Sequence, residues 1–227
     1  LLANQLALLM VRQQVGDTSS GRCYDAPGRL IEALKGTLPF EMTTAQHRAL
    51  NEINADQAAP RRMLRMLQGD VGSGKTVVAL AAMLKVVETG MQAALLVPTE
   101  VLARQHHASL SKLLRPLKIE VGLLLGQGRT KIQEPEPNFQ NNNGQSSASR
   151  NRKETLEAMA NGTLPLIVGT HALLSDTAIF KDLGLAVIDE QHRFGVRQRI
   201  LIGEKGRDVD VMVMTATPIP RSLAMTA

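Results

Sequence analysis

The chain reads as a doubly wound α/β domain, a parallel sheet with helices on both faces. Three observations predict this. Six short apolar runs recur along the 227 residues, separated by segments with helical spacing. The runs are nearly continuous, as in strands buried on both sides, rather than alternating. A Gly-rich turn joins the first run directly to a helix, the connection a βα unit needs. The length suits one core with attachments, and a chain of this size buries roughly 70–75% of its unfolded surface. Apolar residues make up 44% but aromatics only 2%, so Leu, Val, Ile, Ala and Met must build the interior.

In order along the chain, LLANQLALLMVRQQ sets Leu2, Leu6, Leu9 and Met10 at helical spacing, and residues 16–22 form a loop. Helices are expected over 27–35 and, with Thr43 or Thr44 as N-cap, to about Asn54. The first strand covers 63–68, and a helix closed by Gly90 follows the turn. Strands at 93–98 and 119–125 flank a helix from Glu100 to about Leu114. The segment 133–149 is polar with almost nothing to bury, so 131–150 is expected to be a disordered insertion. A helix over 152–162 restores order, and strands at 164–169, 185–189 and 211–215 complete the set.

The formal charge of +5 permits a polyanionic partner, and fits a mildly basic soluble protein equally well. One Tyr and no Trp argue against aromatic platforms for stacked bases. The lone Cys23 excludes an internal disulfide framework and reads as an inert thiol. No apolar run reaches the roughly 18 residues of a membrane span, and no signal peptide is evident, so a cytoplasmic location is expected. The chain lacks an initiating Met and ends soon after a motif, so a fragment is expected, with residues 1–36 a helical extension from an upstream domain.

Three motifs carry chemistry. GDVGSGKT, Gly69 to Thr76, sits between a strand and a helix. Gly72 and Gly74 let backbone N–H groups turn toward phosphate, beside Ser73, and the helix aims its positive end at the same anion. Lys75 would reach the β/γ-phosphates, and Thr76 would offer its hydroxyl to Mg²⁺. At the carboxyl end of the run 185–189, Asp189 would hold Mg²⁺ and Glu190 would activate a water. The run 211–215 opens into Thr215-Ala216-Thr217, whose hydroxyls could bond the acidic motif or merely end a strand.

The order of GKT, VPTEVLARQ, DEQH and TAT resembles lobe 1 of a superfamily 2 helicase, with a RecA-like core over 37–227. GDVGSGKTVVA, DEQHRFGVRQR and TATPIPRSLA are closest to the RecG branch-migration helicases. The related transcription–repair coupling translocases usually carry Glu where Gln191 stands and an aromatic residue at Ser73. The resemblance implies ATP and Mg²⁺ as cofactors, branched or forked DNA as partner, and work in recombination and repair. It assigns Gln46 to the adenine edge, and its amide can both donate and accept. Pro98, Thr99, Gln105, Thr170 and His171 would line the nucleic-acid path, with phosphate contacts that position rather than read sequence. Gln191, His192, Thr215 and Thr217 would couple hydrolysis to motion. His171 and His192 lack a ligand set at zinc spacing. Arg193, Arg197, Arg199, Lys205 and Arg207 form a solvated basic face or a phosphate-facing patch, and 61–65 an exposed start to a strand.

Family enzymes build the catalytic site between two lobes, so a second lobe and an upstream DNA-binding domain are expected partners. The arginine meeting the γ-phosphate comes from the second lobe, and this chain alone should turn ATP over little. An unrelated P-loop kinase or ATPase would lack the VPTEVLARQ and TATPIPR blocks. A non-hydrolytic nucleotide switch would not need Glu190 beside Asp189.

Overall fold

The structure, a computed structural model, describes residues 21–126, 151–189 and 201–216. The Leu2–Met10 stripe, the 131–150 insertion, Glu190, Gln191, His192, Arg193, Arg197, Arg199 and Thr217 lie outside these residues. The elements are α1 (Arg29–Thr37), α2 (Thr44–Ala58), β1 (Leu64–Gln68), α3 (Lys75–Glu88), β2 (Gln92–Leu96) and α4 (Glu100–Leu114). They continue with β3 (Val121–Leu124), α5 (Arg152–Asn161), β4 (Leu166–Gly169), β5 (Leu183–Ile188) and β6 (Asp210–Thr215). Among the described residues the six strands form one sheet in the order β1-β6-β5-β2-β4-β3, every pairing parallel.

Side chains of each central strand divide by parity between two cores. Leu95, Leu166, Val168, Leu185, Val187, Met212 and Met214 face the side where α1 to α4 pack. Leu96, Ile167, Ala186, Ile188, Val211 and Val213 face the other, with Met159 of α5 and Phe180. Successive side chains in a strand point to opposite faces, so burial on both faces requires the unbroken apolar runs seen in the sequence. The predicted doubly wound class is what the chain adopts.

Helix α3 is buried almost all round, from Val78 to Val86, because it lies on the sheet with α1 and α2 over its outer side. Its Lys85 reaches out to the Asn54 carbonyl at 2.9 Å, and burial lowers the pKa of that ammonium. Residues 21–37 share this core through Tyr24, Ile31 and Leu34. At the start of β2, Gln92 donates to the carbonyls of Met159 and Leu164 and accepts from the N–H groups of Lys181 and Asp182. One side chain thereby ties β2 to the segments before β4 and β5.

Boundaries differ from expectation where a local signal was outweighed. Helix α2 runs to Ala58 rather than to about Asn54. Its stop is Pro60, which drives Ala59 to an extended ψ of 147°. Strand β5 begins at Leu183, two residues before the predicted start at Leu185, because Gly184 is taken up in a register shift opposite Gln92 and Ala93. No helix among the described residues is long and apolar enough to cross a membrane.

Candidate nucleotide-binding site

Because β6 lies between β1 and β5, three loops leave the sheet side by side at its carboxyl edge. The Gly-rich loop follows β1, Thr215 ends β6, and Asp189 follows β5. The Gly69 N–H donates to the Thr215 carbonyl at 3.3 Å, and the Asp189 N–H to Leu96 of β2 at 2.9 Å. Thr215 itself is buried and paired with Gln68.

Within the loop, Gly72 and Gly74 take φ of 81° and 80°, a left-handed backbone that only glycine adopts at little cost. Gly74 caps α3 without a side-chain bond, so Lys75 opens the helix and the loop lies at its positive N-terminal end. Lys75 Nζ donates to the carbonyls of Gly69 and Asp70 at 2.7 and 2.8 Å. The ammonium is folded over the loop, with one of its three donors beyond those two bonds. Thr76 follows it, half-buried in the first turn.

Gln46 reaches this loop from α2. Its Oε1 accepts the Thr43 N–H at 2.8 Å in a capping box, and its Nε2 donates to the Ser73 carbonyl at 2.8 Å. A primary amide has two donors and two acceptor sites, so one of each remains for a ligand. Contact with the loop is tight, since a Cβ on Gly74 would fall 2.3 Å from Gln46 Nε2. A cleft of about 450 Å³ opens nearby, lined by Lys35, Leu38, Pro39, Phe40, Met42 and His47, with Phe40 half exposed.

Across the edge, Asp189 meets a residue that the sequence reading passed over. His106 Nε2 of α4 stands 3.2 Å from Asp189 Oδ2, both side chains about 15% exposed. The signal was present: His106 lies between Ala103 and Leu110 on the buried stripe of α4. A polar ring on an inward helix face needs a partner.

The residues assigned to a nucleic-acid path leave the ends of β2 and β4. Thr99 caps α4 through its hydroxyl, which accepts from the Leu102 N–H at 3.3 Å, while Pro98 is half-buried and Gln105 exposed. His171 is exposed, near Gly126 at the end of β3. Thr170 departs from expectation. It is 1% exposed, and its hydroxyl is buried without a hydrogen-bond partner among the described residues, so it faces the interior rather than a backbone in solution. Of the basic positions, Lys205 donates to the Ser175 carbonyl at 2.7 Å and Arg207 lies 3.6 Å from Asp208. Arg62 bonds the Val209 carbonyl, and Arg65 pairs with Asp56 and Glu52, so those two arginines brace the start of β1.

A phosphate-type loop after one strand and an acidic residue after a strand two places away, on an all-parallel sheet, define a P-loop nucleotide-binding domain of RecA-like architecture. The sequence profile described as DEAD/DEAH box helicase matches residues 43–226. The chain belongs to that family. It is 47% identical over 226 residues to the ATP-dependent DNA helicase RecG of Acidithiobacillus ferridurans, covering all of this chain and 30% of that protein. The RecG of Bacillus subtilis is 48% identical over 190 residues, covering 84% of this chain and 25% of that one. The chain thus spans about a third or less of these relatives. Among solved structures, RecG bound to a three-way DNA junction aligns with a TM-score of 0.75 and 38% identity over 97% of this chain and 27% of that one. The DEAD-box helicase Mss116 aligns at 0.61 with 17% identity over 86% of this chain and 40% of that one, a likeness of fold alone.

Proposed function

We propose that this chain is the ATP-binding lobe of an ATP-dependent DNA helicase that remodels branched DNA, such as stalled forks and Holliday junctions, in recombination and repair. The observation that carries this reading is the convergence of Lys75, Thr76 and Asp189 at the ends of β1 and β5, with the strand between them contributing Thr215. The relatives matched along the chain bear the name ATP-dependent DNA helicase, and a solved RecG structure similar to this chain is bound to a three-way DNA junction. Those names favour this reading over a transcription–repair coupling translocase and over a nucleotide switch without hydrolysis. A cytoplasmic location belongs to the same reading.

The residues fit a magnesium-bound triphosphate. The left-handed glycines and the open first turn of α3 make a cradle of N–H donors. The Lys75 ammonium donates to the loop carbonyls of Gly69 and Asp70, and on nucleotide binding it would exchange them for phosphate oxygens. Thr76 and Asp189 would hold Mg²⁺, which keeps only one or two protein ligands when phosphates supply the rest. The bound metal would neutralise charge developing on the transferred phosphoryl group. Glu190 would orient the attacking water, Gln46 would hold the adenine edge, and Gln191, His192, Thr215 and Thr217 would pass the state of the site outward. Pro98, Thr99, Gln105 and His171 would contact DNA, whereas Thr170 would act through its backbone. A second RecA-like lobe and an upstream DNA-binding domain are the partners this role requires.

The test is ATP binding and turnover by the 227-residue chain, with and without a three-way DNA junction, using Lys75→Ala as blank. Nucleotide binding lost in Lys75→Ala, with turnover near the blank, is the expected result. An arginine supplied from a second lobe is worth roughly 10³–10⁵ in rate. Equal binding by the wild type and the variant would overturn the assignment. Robust DNA-stimulated turnover would mean that one lobe completes the site.

A further inference from the structure

We infer that His106 is a positioning residue for Asp189, holding its carboxylate in the orientation that serves a divalent cation. The inference rests on the nucleotide-site reading above and deepens it. It begins from the 3.2 Å approach of His106 Nε2 to Asp189 Oδ2, between side chains that are both largely buried. An ionised carboxylate only accepts, so the histidine must carry its proton on Nε2 and donate.

Three features make the contact a built one. His106 is carried by α4, whose register is fixed by the Thr99 cap at one end and by buried Leu110 and Leu114 at the other. The imidazole therefore arrives on a rigid element. Asp189 is fixed by its backbone, since its N–H donates to Leu96 of β2, the strand that leads into α4. And the ring engages a single carboxylate oxygen, Oδ2. A donor at that place fixes the rotation of the carboxylate about its Cβ–Cγ bond. Outer partners that orient metal-ligating groups are typically worth 10–100-fold in metal affinity or activity.

The experiment is equilibrium binding of a fluorescent ATP analogue to the 227-residue chain, with excess Mg²⁺ and with EDTA. The proteins are wild type, His106→Leu, His106→Gln, Asp189→Asn, the two double variants with Asp189→Asn, and Lys75→Ala. Leucine suits the buried stripe of α4 and cannot donate, whereas glutamine can place an N–H near the position of Nε2. In the wild type Mg²⁺ should tighten binding. His106→Leu should lose about tenfold of affinity in Mg²⁺ with little change in EDTA. His106→Gln should recover most of that loss. On the Asp189→Asn background neither substitution at 106 should cost anything further.

An equal loss in Mg²⁺ and EDTA would assign His106 to packing alone and overturn the proposal. So would wild-type Mg²⁺ dependence in His106→Leu. Should His106→Leu fail to fold by thermal melting, His106→Gln and its double variant with Asp189→Asn decide. The proposal then requires that the glutamine variant keep its Mg²⁺ dependence and that Asp189→Asn abolish it. Equal nucleotide binding by wild type and Lys75→Ala would instead remove the nucleotide-site reading, and the proposal with it.

Discussion

Substituting Asp210 by Asn should change how the stability of this domain depends on pH, in a direction and by an amount that the structure defines. Asp210 opens β6, at the end of the sheet opposite the nucleotide site, and has no exposed surface. Its Oδ1 accepts the Met63 N–H at 2.7 Å, while Oδ2 is buried without a hydrogen-bond partner among the described residues. Burial pushes its pKa up from 3.8 to about 7, and neither the Met63 N–H nor the nearby Arg62 guanidinium offsets that. Between those two values the unfolded chain has released the proton and the folded chain still holds it. The unfolded state binds fewer protons there, so stability falls as pH rises. The penalty is absent below about pH 4 and complete above about pH 7, where it amounts to about 4 kcal/mol.

The assay is urea unfolding of wild type and Asp210→Asn at about pH 5 and about pH 8.5. The amide can still accept from Met63 through its oxygen but cannot ionise. Its own fixed cost, from burying an N–H, is the same at both pH values. The difference in unfolding free energy between the two proteins should therefore move by about 3 kcal/mol in favour of the Asn variant across that interval. A difference that stays flat would mean that Asp210 is solvated or paired in the folded protein, and would refute the argument.

Tyr24→Phe removes the hydroxyl that donates to the Gly184 carbonyl at 2.7 Å, and should cost about 1–3 kcal/mol in urea unfolding. Burial raises the pKa of that phenol above its ordinary range, so an alkaline absorbance titration should find it silent until the domain unfolds. Gly184→Ala would put a Cβ 2.6 Å from Val86 Cγ1, and should lower stability by about 1–3 kcal/mol as overpacking between β5 and α3. Gly74→Ala combines a φ of 80° with a Cβ only 2.3 Å from Gln46 Nε2. It should cost about 1 kcal/mol of stability while abolishing detectable binding of an ATP analogue, and retained affinity would count against the loop as the phosphate cradle.

Much of this architecture was legible because its signals are local. Each unbroken apolar run became a strand, since a strand covered on both faces has no polar side to display. The loop was equally plain, because glycines at 72 and 74 followed by Lys75 at a strand–helix junction answer to one backbone geometry. What stayed hidden depended on contacts distant in sequence. The pairing of His106 with Asp189 joins residues 83 apart, and nothing in VLARQHHASL names the partner. Only the position of His106 on the buried stripe of α4 asked for one. Thr170 was assigned to the nucleic-acid path through its motif, and its burial between Gly169 and Ala172 was not legible from that motif. Gln46 was assigned a single task from its motif, whereas its two ends serve the α2 cap and the loop together.

The strand order divides the carboxyl edge of the sheet into two halves. Strands β1, β6 and β5 bring the phosphate-type loop, Thr215 and Asp189 to one half of the carboxyl edge. Strands β2, β4 and β3 bring Thr99, His171 and Gly126 to the other half. The seam is the β2–β5 pairing, and it is the one ladder with a register shift. Contacts at the carboxyl edge cross there. Backbone does so through the bond from Asp189 to Leu96, and side chains do so through His106 and Asp189. Helix α4 starts in one half, at Thr99, and reaches into the other two turns later, at His106. The middle of that helix, rather than its end, therefore meets the carboxylate, while its first turn is held by the Thr99 cap.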